Sequence, residues 1–228
     1  MKLEKIASLA LAGVMAVSML AGCKGNGTDN AGSSSSEQTA TATGYSAKLA
    51  DEMKDLAAED YISFKDNASD EAALKAAVAG LSNQTVGVSN NSNIVWMGPA
   101  SRVATDFDDK AKLDEYFNSG LNDLFTSTAA KAHLNGTYKI GFVYAADGSV
   151  GMDKVMELIA TNLDTDDRVT DGLVEDSSKI ANVTSTSKYD YTYEISVSVV
   201  NVPNEYDLQH SFSTNFIAVT ITRTGVDA

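Results

Sequence analysis

A strict alternation of apolar and polar residues between positions 189 and 199 constrains the fold of this chain more than any other feature. Tyrosine, isoleucine or valine occupies every odd position, and a charged or hydroxyl-bearing side chain occupies every even one. Successive side chains of a β-strand point to opposite faces, so the pattern predicts a strand with one buried face. Residues 217–222, within the run 212–223, alternate in the same way. We expect the two runs to pair as a long antiparallel hairpin.

Four stretches carry apolar residues at the three- and four-residue spacing of an amphipathic helix. We expect Ser69 to cap the second helix and Thr105 or Asp106 to cap the third. The four apolar stripes are Tyr45, Leu49, Met53 and Leu56; Leu74, Val78 and Leu81; Leu113, Tyr116, Phe117, Leu121, Leu124 and Phe125; and Met152, Val155, Met156, Ile159 and Leu163.

The order of these elements predicts the fold class. A β-prone run at residues 138–146 leads into the fourth helix, and short runs at 85–89 and 94–97 flank an asparagine-rich turn that predicts a hairpin. Helices early and strands late favour an α+β fold, with an antiparallel sheet covered by amphipathic helices on one face. We expect residues 45–228 to form a single domain, because a segment of this length suffices for one core and is short for two.

The first 22 residues have the features of a secretory signal peptide. A basic start at Lys2 and Lys5 precedes an apolar run from Ile6 to Leu20, which is too short for a membrane span with ordinary flanks. The run ends in Leu20-Ala21-Gly22-Cys23, which resembles the lipobox of bacterial lipoproteins.

This resemblance implies that a diacylglycerol is attached to the thiol of Cys23 and that the signal is cut before it. The implied partner is a lipid bilayer, and the implied location is a bacterial cell membrane, with the protein facing outside the cytoplasm. Several acyl chains on one cysteine would anchor it stably, whereas a single chain binds only marginally. Residues 24–44 contain no large apolar side chain, so we expect residues 23–44 to be the lipidated cysteine and a disordered tether.

Composition excludes several classes of function. The net charge is −14, and the signal holds two lysines and one glutamate, so the remaining chain is one charge more acidic. Such a surface repels phosphates, which argues against a nucleic-acid partner and leaves cationic partners allowed. Cys23 is the only cysteine, and its lipidation would leave no thiol for a disulfide, a thiolate metal site or a nucleophile.

One segment resembles the nucleophile elbow of serine hydrolases. Residues 147–151 read Asp-Gly-Ser-Val-Gly between a predicted strand and helix, but the elbow requires glycine at the first position. His210 lies downstream of Ser149, with Asp171 or Asp176 between, so a Ser, Asp, His order can be assembled. The interpretation we favour is that Ser149 caps the helix that follows.

Two further motifs are incomplete. Ser185-Thr186-Ser187-Lys188 matches the Ser-x-x-Lys of penicillin-recognising enzymes, but no Ser-Asp-Asn or Lys-Thr-Gly element accompanies it. Asn162, Asp164, Asp166 and Asp167 resemble half a calcium loop without its glycine and final glutamate, which favours a solvated acidic loop.

His133 and His210 are too few for a multi-histidine zinc centre, and we predict neither a metal nor a cofactor.

Aromatic residues suggest a binding surface. Tyr189 and Tyr191 share a strand face, and Trp96 is the only tryptophan, so their rings could stack on a sugar or a peptide. The same face continues into isoleucine and valine, which favours core packing.

The sequence therefore predicts a lipid-anchored, non-enzymatic protein that binds a small ligand or an envelope protein. The alternative is an extracytoplasmic serine hydrolase that uses Ser149 with His210.

Overall fold

The computed structural model of the protein describes residues 44–81, 94–96, 102–113, 135–165, 169, 172–179, 187–203 and 213–228. The helices in these ranges are α1 (Tyr45–Glu52), α2 (Lys54–Ala57), α3 (Ala68–Val78), α4 (Arg102–Ala111) and α5 (Met152–Asp164). The strands are β1 (Ile62–Phe64), β2 (Ile94–Trp96), β3 (Gly136–Asp147), β4 (Tyr189–Pro203) and β5 (Ser213–Asp227). The predicted α+β class is confirmed. Among the described residues, no helix has the length and hydropathy of a membrane-spanning segment.

Three long strands form the centre of a five-stranded sheet with the order β1-β4-β5-β3-β2. The predicted hairpin is confirmed: β4 and β5 pair antiparallel from Tyr189 with Asp227 to Pro203 with Ser213. Strand β3 pairs antiparallel with the other edge of β5 along its whole length. The two 15-residue strands and their neighbour therefore provide the platform on which the helices pack.

The first face of the sheet is covered by α1 and α5. The odd-numbered residues of β4 lie here, as the alternation predicts, and Tyr191 and Tyr193 are each only 1% exposed. Helix α5 packs against them through the predicted stripe, which is buried at Val155, Met156, Ile159 and Leu163. Burial of this apolar stripe, rather than helix propensity, holds α5 in place.

The second face is also covered, by α3 and α4, so the expectation of helices on one face only is wrong. Leu74 and Phe107 on these helices pack over Phe216 and Ala218 of β5. The sequence predicted that this face of β5 meets solvent because Ala218, Thr220 and Thr222 carry small or hydroxyl-bearing side chains. Small side chains also allow a helix to approach a sheet closely. Helices α3 and α4 pack on this face, so both faces of the sheet are buried.

The two edge strands make the sheet mixed rather than wholly antiparallel. Strand β1 runs parallel to β4, with Ile62 opposite Tyr193. Where β1 ends, the buried Ser46 hydroxyl accepts a hydrogen bond from Val197 N at 2.9 Å and donates one to Lys65 O at 3.2 Å. Ser46 of α1 thus provides a hydrogen-bond partner for the backbone of β4 beyond the point where β1 ends.

Strand β2 pairs antiparallel with β3 at the other edge of the sheet. It falls within the predicted run 94–97. Its predicted hairpin partner, residues 85–89, lies outside the described residues, so that hairpin stays a prediction.

Helix boundaries depart from the predicted caps. Asn67, not Ser69, caps α3, because its side chain accepts hydrogen bonds from the backbone N–H groups of Ser69 and Asp70. Helix α4 begins at Arg102, which places Thr105 and Asp106 inside it rather than at its start. It is followed by Lys112, whose φ of 54° is incompatible with a continued helix. The stripe predicted beyond Leu113 lies outside the described residues.

Candidate functional site

A cleft of about 610 Å³ lies where the α1–α2 segment meets the end of α5. Its lining combines an apolar floor with an acidic rim. The lining residues are Glu52, Met53, Lys54, Asp55, Leu56, Glu59, Tyr61, Asp164 and Leu173.

A break in the first helix shapes this cleft. Residue Met53 leaves the helical conformation, with φ −105° and ψ 53°, between α1 and α2. Its side chain is buried in the core of the first face, as is Leu173. The chain therefore turns around an anchored apolar residue, which leaves the flanking Glu52 and Asp55 exposed at the rim.

Helix α5 supplies the opposite wall. Asp164 is its last residue, at the end of the helix where the unpaired carbonyls carry partial negative charge. The pKa of Asp164 is raised by burial and by the charge of Asp55. The pKa of the neighbouring Tyr61 hydroxyl is also raised, chiefly by burial and then by Glu59.

The cleft has an excess of negative charge. Four carboxylates and one ammonium line it. In the part of the chain that the structure describes, none of these five groups forms an ion pair. No carboxylate of the cleft therefore forms a direct ion pair with a described residue, and the charge of Asp55 raises the pKa of Asp164. Such an arrangement favours a bound cation, and the apolar floor favours one attached to an apolar body.

Sequence reasoning did not identify this cleft. The sequence pointed to Asp164 only as part of a calcium-loop pattern, and Asp166 and Asp167 of that pattern lie outside the described residues. Asn162 of the same pattern accepts a hydrogen bond from the Tyr144 hydroxyl at 2.9 Å. No group of three or more metal-ligating side chains occurs among the described residues. The one available signal was the density of acidic residues between positions 51 and 60.

Ser149 does not cap a helix, so the favoured interpretation of this residue is wrong. Gly151 is the N-cap of α5, without a side-chain hydrogen bond. The Ser149 hydroxyl instead donates to Asp147 Oδ1 at 2.5 Å, and the Ser149 N–H donates to the same oxygen at 2.8 Å. Because an aspartate side chain readily accepts from the backbone two residues on, the segment forms a local turn.

This turn does not provide an activated nucleophile. The two hydrogen bonds from Ser149 lower the pKa of Asp147, which makes this carboxylate a weaker base than an ordinary aspartate. Asp176, the described candidate for the acid, accepts hydrogen bonds from the N–H and hydroxyl of Ser178. His210 and Asp171 lie outside the described residues.

We expect Ser149 to remain unlabelled by a fluorophosphonate probe. Labelling requires a base that removes the serine proton, and an ionised Asp147 with a lowered pKa does not do so near neutral pH. Substitution Ser149→Ala removes one exposed hydrogen bond and should lower the free energy of unfolding by at most about 1 kcal/mol. Labelling detected by mass spectrometry, and abolished in Ser149→Ala, would instead identify a serine hydrolase.

The aromatic candidates occupy three different settings. Tyr191 lies in the core of the first face, where Arg223 packs on its ring with the guanidinium carbon 4.7 Å from the ring centre. Tyr189 is half-buried at the end of the same strand. Trp96 is the last residue of β2 and pairs with Tyr144. The tyrosine face is thus mainly core, as the isoleucine and valine residues that follow it on the strand indicated.

Several sequence candidates lie outside the described residues, namely Cys23, His133, Ser185 and Thr186. Comparison of the chain with protein-family models, with curated proteins and with solved structures finds no match in any of the three.

Proposed function

We propose that this protein is exported, anchored to a bacterial membrane through acylated Cys23, and binds a cationic ligand in the acidic cleft without catalysing a reaction on it. The ligand is a small ammonium or guanidinium compound, or such a group on a peptide of an envelope protein. The observation that carries this proposal is the cleft itself, which has apolar side chains on its floor and, on its rim, carboxylates without an ion-pair partner among the described residues.

The anchor and the tether support the same function. A lipid on Cys23 and a polar tether of residues 24–44 would hold the folded part of the chain near, but clear of, the lipid head groups. A binding protein needs such access to the extracytoplasmic space. The acidic balance of the whole chain would also attract cations to its surface over a longer range.

Binding of a matched pair of capped dipeptides tests the ligand class. We expect the detergent-solubilised protein to bind acetyl-Phe-Lys-amide more tightly than acetyl-Phe-Gln-amide, because only the first carries both the apolar ring and the cation. The double substitution Asp55→Asn and Asp164→Asn should weaken binding about tenfold, since two partly exposed ion pairs together contribute on the order of 1.4 kcal/mol. Isothermal titration calorimetry measures both effects.

Asp51→Asn is the matched control for this experiment. It removes an exposed carboxylate from the neighbouring helix α1, but Asp51 does not line the cleft, so affinity should change little. Affinity in the parent protein should also fall as the pH is lowered, and earlier than for ordinary carboxylates, because the raised pKa of Asp164 lets it lose its charge first. Equal binding of the two dipeptides, or an equal loss in Asp51→Asn, would contradict the proposed site.

A further inference from the structure

A buried ion pair joins α3 to β3 on the second face of the sheet. Asp70 lies in the first turn of α3 and is 1% exposed, and the side chain of Lys139 in β3 is 19% exposed. The Lys139 ammonium contacts Asp70 Oδ1 directly. An ion pair in this setting loses most of its hydration, so its members interact strongly with each other and with the nearest dipoles.

Two hydroxyl groups hold the other oxygen of Asp70. The hydroxyl oxygens of buried Ser196 (β4) and Thr220 (β5) lie 3.0 and 2.7 Å from Oδ2. The two hydroxyls also hydrogen-bond each other, so they form one network in which at least one of their two protons is donated to Oδ2 whenever the other joins the hydroxyls. The carboxyl group is therefore polarised at Oδ2 by this hydroxyl pair, while the Lys139 ammonium contacts Oδ1. Donors that are fixed before a reaction stabilise the negative charge that develops on an acyl oxygen.

We propose that Asp70 and Lys139 condense to form an intramolecular isopeptide bond. The fold supplies two requirements of amide formation. It holds the nucleophile beside the acyl group, which replaces a bimolecular encounter, and it buries the carboxyl group, which is 1% exposed and so has little water around it. The hydroxyls of Ser196 and Thr220 act as an oxyanion hole for Oδ2.

The reaction needs no oxidant and no co-reactant. A proton passes from the Lys139 ammonium to Oδ1, which gives an amine and a carboxylic acid. The Nζ lone pair then attacks Cγ, and Oδ2 carries the negative charge of the tetrahedral intermediate. The Cγ–Oδ1 bond breaks, and Oδ1 leaves as water with two of the three original ammonium protons. The third proton remains on the amide nitrogen, so atoms and charge balance.

Such a bond would serve the folded part of the chain in place of a disulfide. The sequence offers no second cysteine, and the bond would close a loop between residues 69 positions apart. A cross-link across a long loop stabilises a fold by restricting its unfolded state. The link would also attach α3 permanently to the sheet.

Peptide mapping of the full-length protein tests the proposal. Trypsin should release residues 66–75 joined to residues 132–154, with a mass one water below the sum of the two peptides, and should not cleave after Lys139. Recovery of peptide 66–75 alone, together with separate peptides 132–139 and 140–154, would overturn the proposal.

Two variants and an internal control make the result specific. Asp70→Ala removes the acyl group and Lys139→Arg keeps the positive charge without a nucleophilic amine, so both should yield only unlinked peptides. Lys65 and Glu194 form another ion pair, with nitrogen and oxygen 3.2 Å apart, but it is more exposed. It should stay unlinked, and trypsin should cleave after Lys65. A linked peptide that persists in Lys139→Arg would exclude Lys139 as the nucleophile.

Discussion

Cys23→Ser should either move the protein from the detergent phase to the aqueous phase in a detergent-partition experiment or leave its signal uncut, and in both cases it should abolish lipid labelling. A serine hydroxyl does not accept the diacylglycerol that the lipobox resemblance assigns to the thiol. Each buried methylene of an acyl chain contributes about 0.8 kcal/mol to membrane binding, so losing the chains changes the distribution almost completely. Incorporation of a radiolabelled fatty acid, followed on a gel, reports the same change directly.

A cysteine placed elsewhere is the matched control for the anchor. The double variant Cys23→Ser and Ser33→Cys restores the composition but puts the thiol in the tether, beyond the lipobox. It should partition and be processed as Cys23→Ser is, and it should take up no fatty acid. If Cys23→Ser alone still partitions into detergent and incorporates label, the lipoprotein assignment fails.

Tyr193→Ala should lower the free energy of unfolding by about 3–5 kcal/mol, the cost of removing a large aromatic side chain from a packed core. Tyr193 is 1% exposed and packs edge-to-face on Tyr61, and its hydroxyl donates to Val174 O at 3.0 Å. The loss is a large share of the total stability of a typical domain. Urea denaturation followed by circular dichroism measures it.

Two companion variants separate core packing from ligand binding. Tyr193→Phe removes only the hydroxyl and should cost about 1 kcal/mol. Tyr189→Ala alters a half-buried ring at the end of the strand and should cost clearly less than Tyr193→Ala. A Tyr193→Ala protein of unchanged stability that no longer binds its ligand would make the tyrosine face the binding surface.

Long periodic segments were predictable because each carries its own signal. The alternation in β4 continues over enough residues to specify a strand and its buried face, and the stripe of α5 does the same for a helix. Strand β1, with three residues, is too short to show a period. The helix caps were mispredicted because Asn67 and Ser69 are both good capping residues, and the backbone conformation decides between them.

Local sequence by itself determined the three long strands and helix α5, and it is the sole basis of the lipid anchor that we propose at Cys23. Only the tertiary structure decided that helices cover both faces, since alanine and threonine on β5 suit solvent and a closely packed helix equally well. It also decided the two polar sites. Asp164 joins Asp55 in the cleft and Asp70 meets Lys139 under α3, although each pair is far apart in the chain. The spacing of apolar residues along the sequence does not predict such contacts, because they form only when distant segments pack on the same sheet.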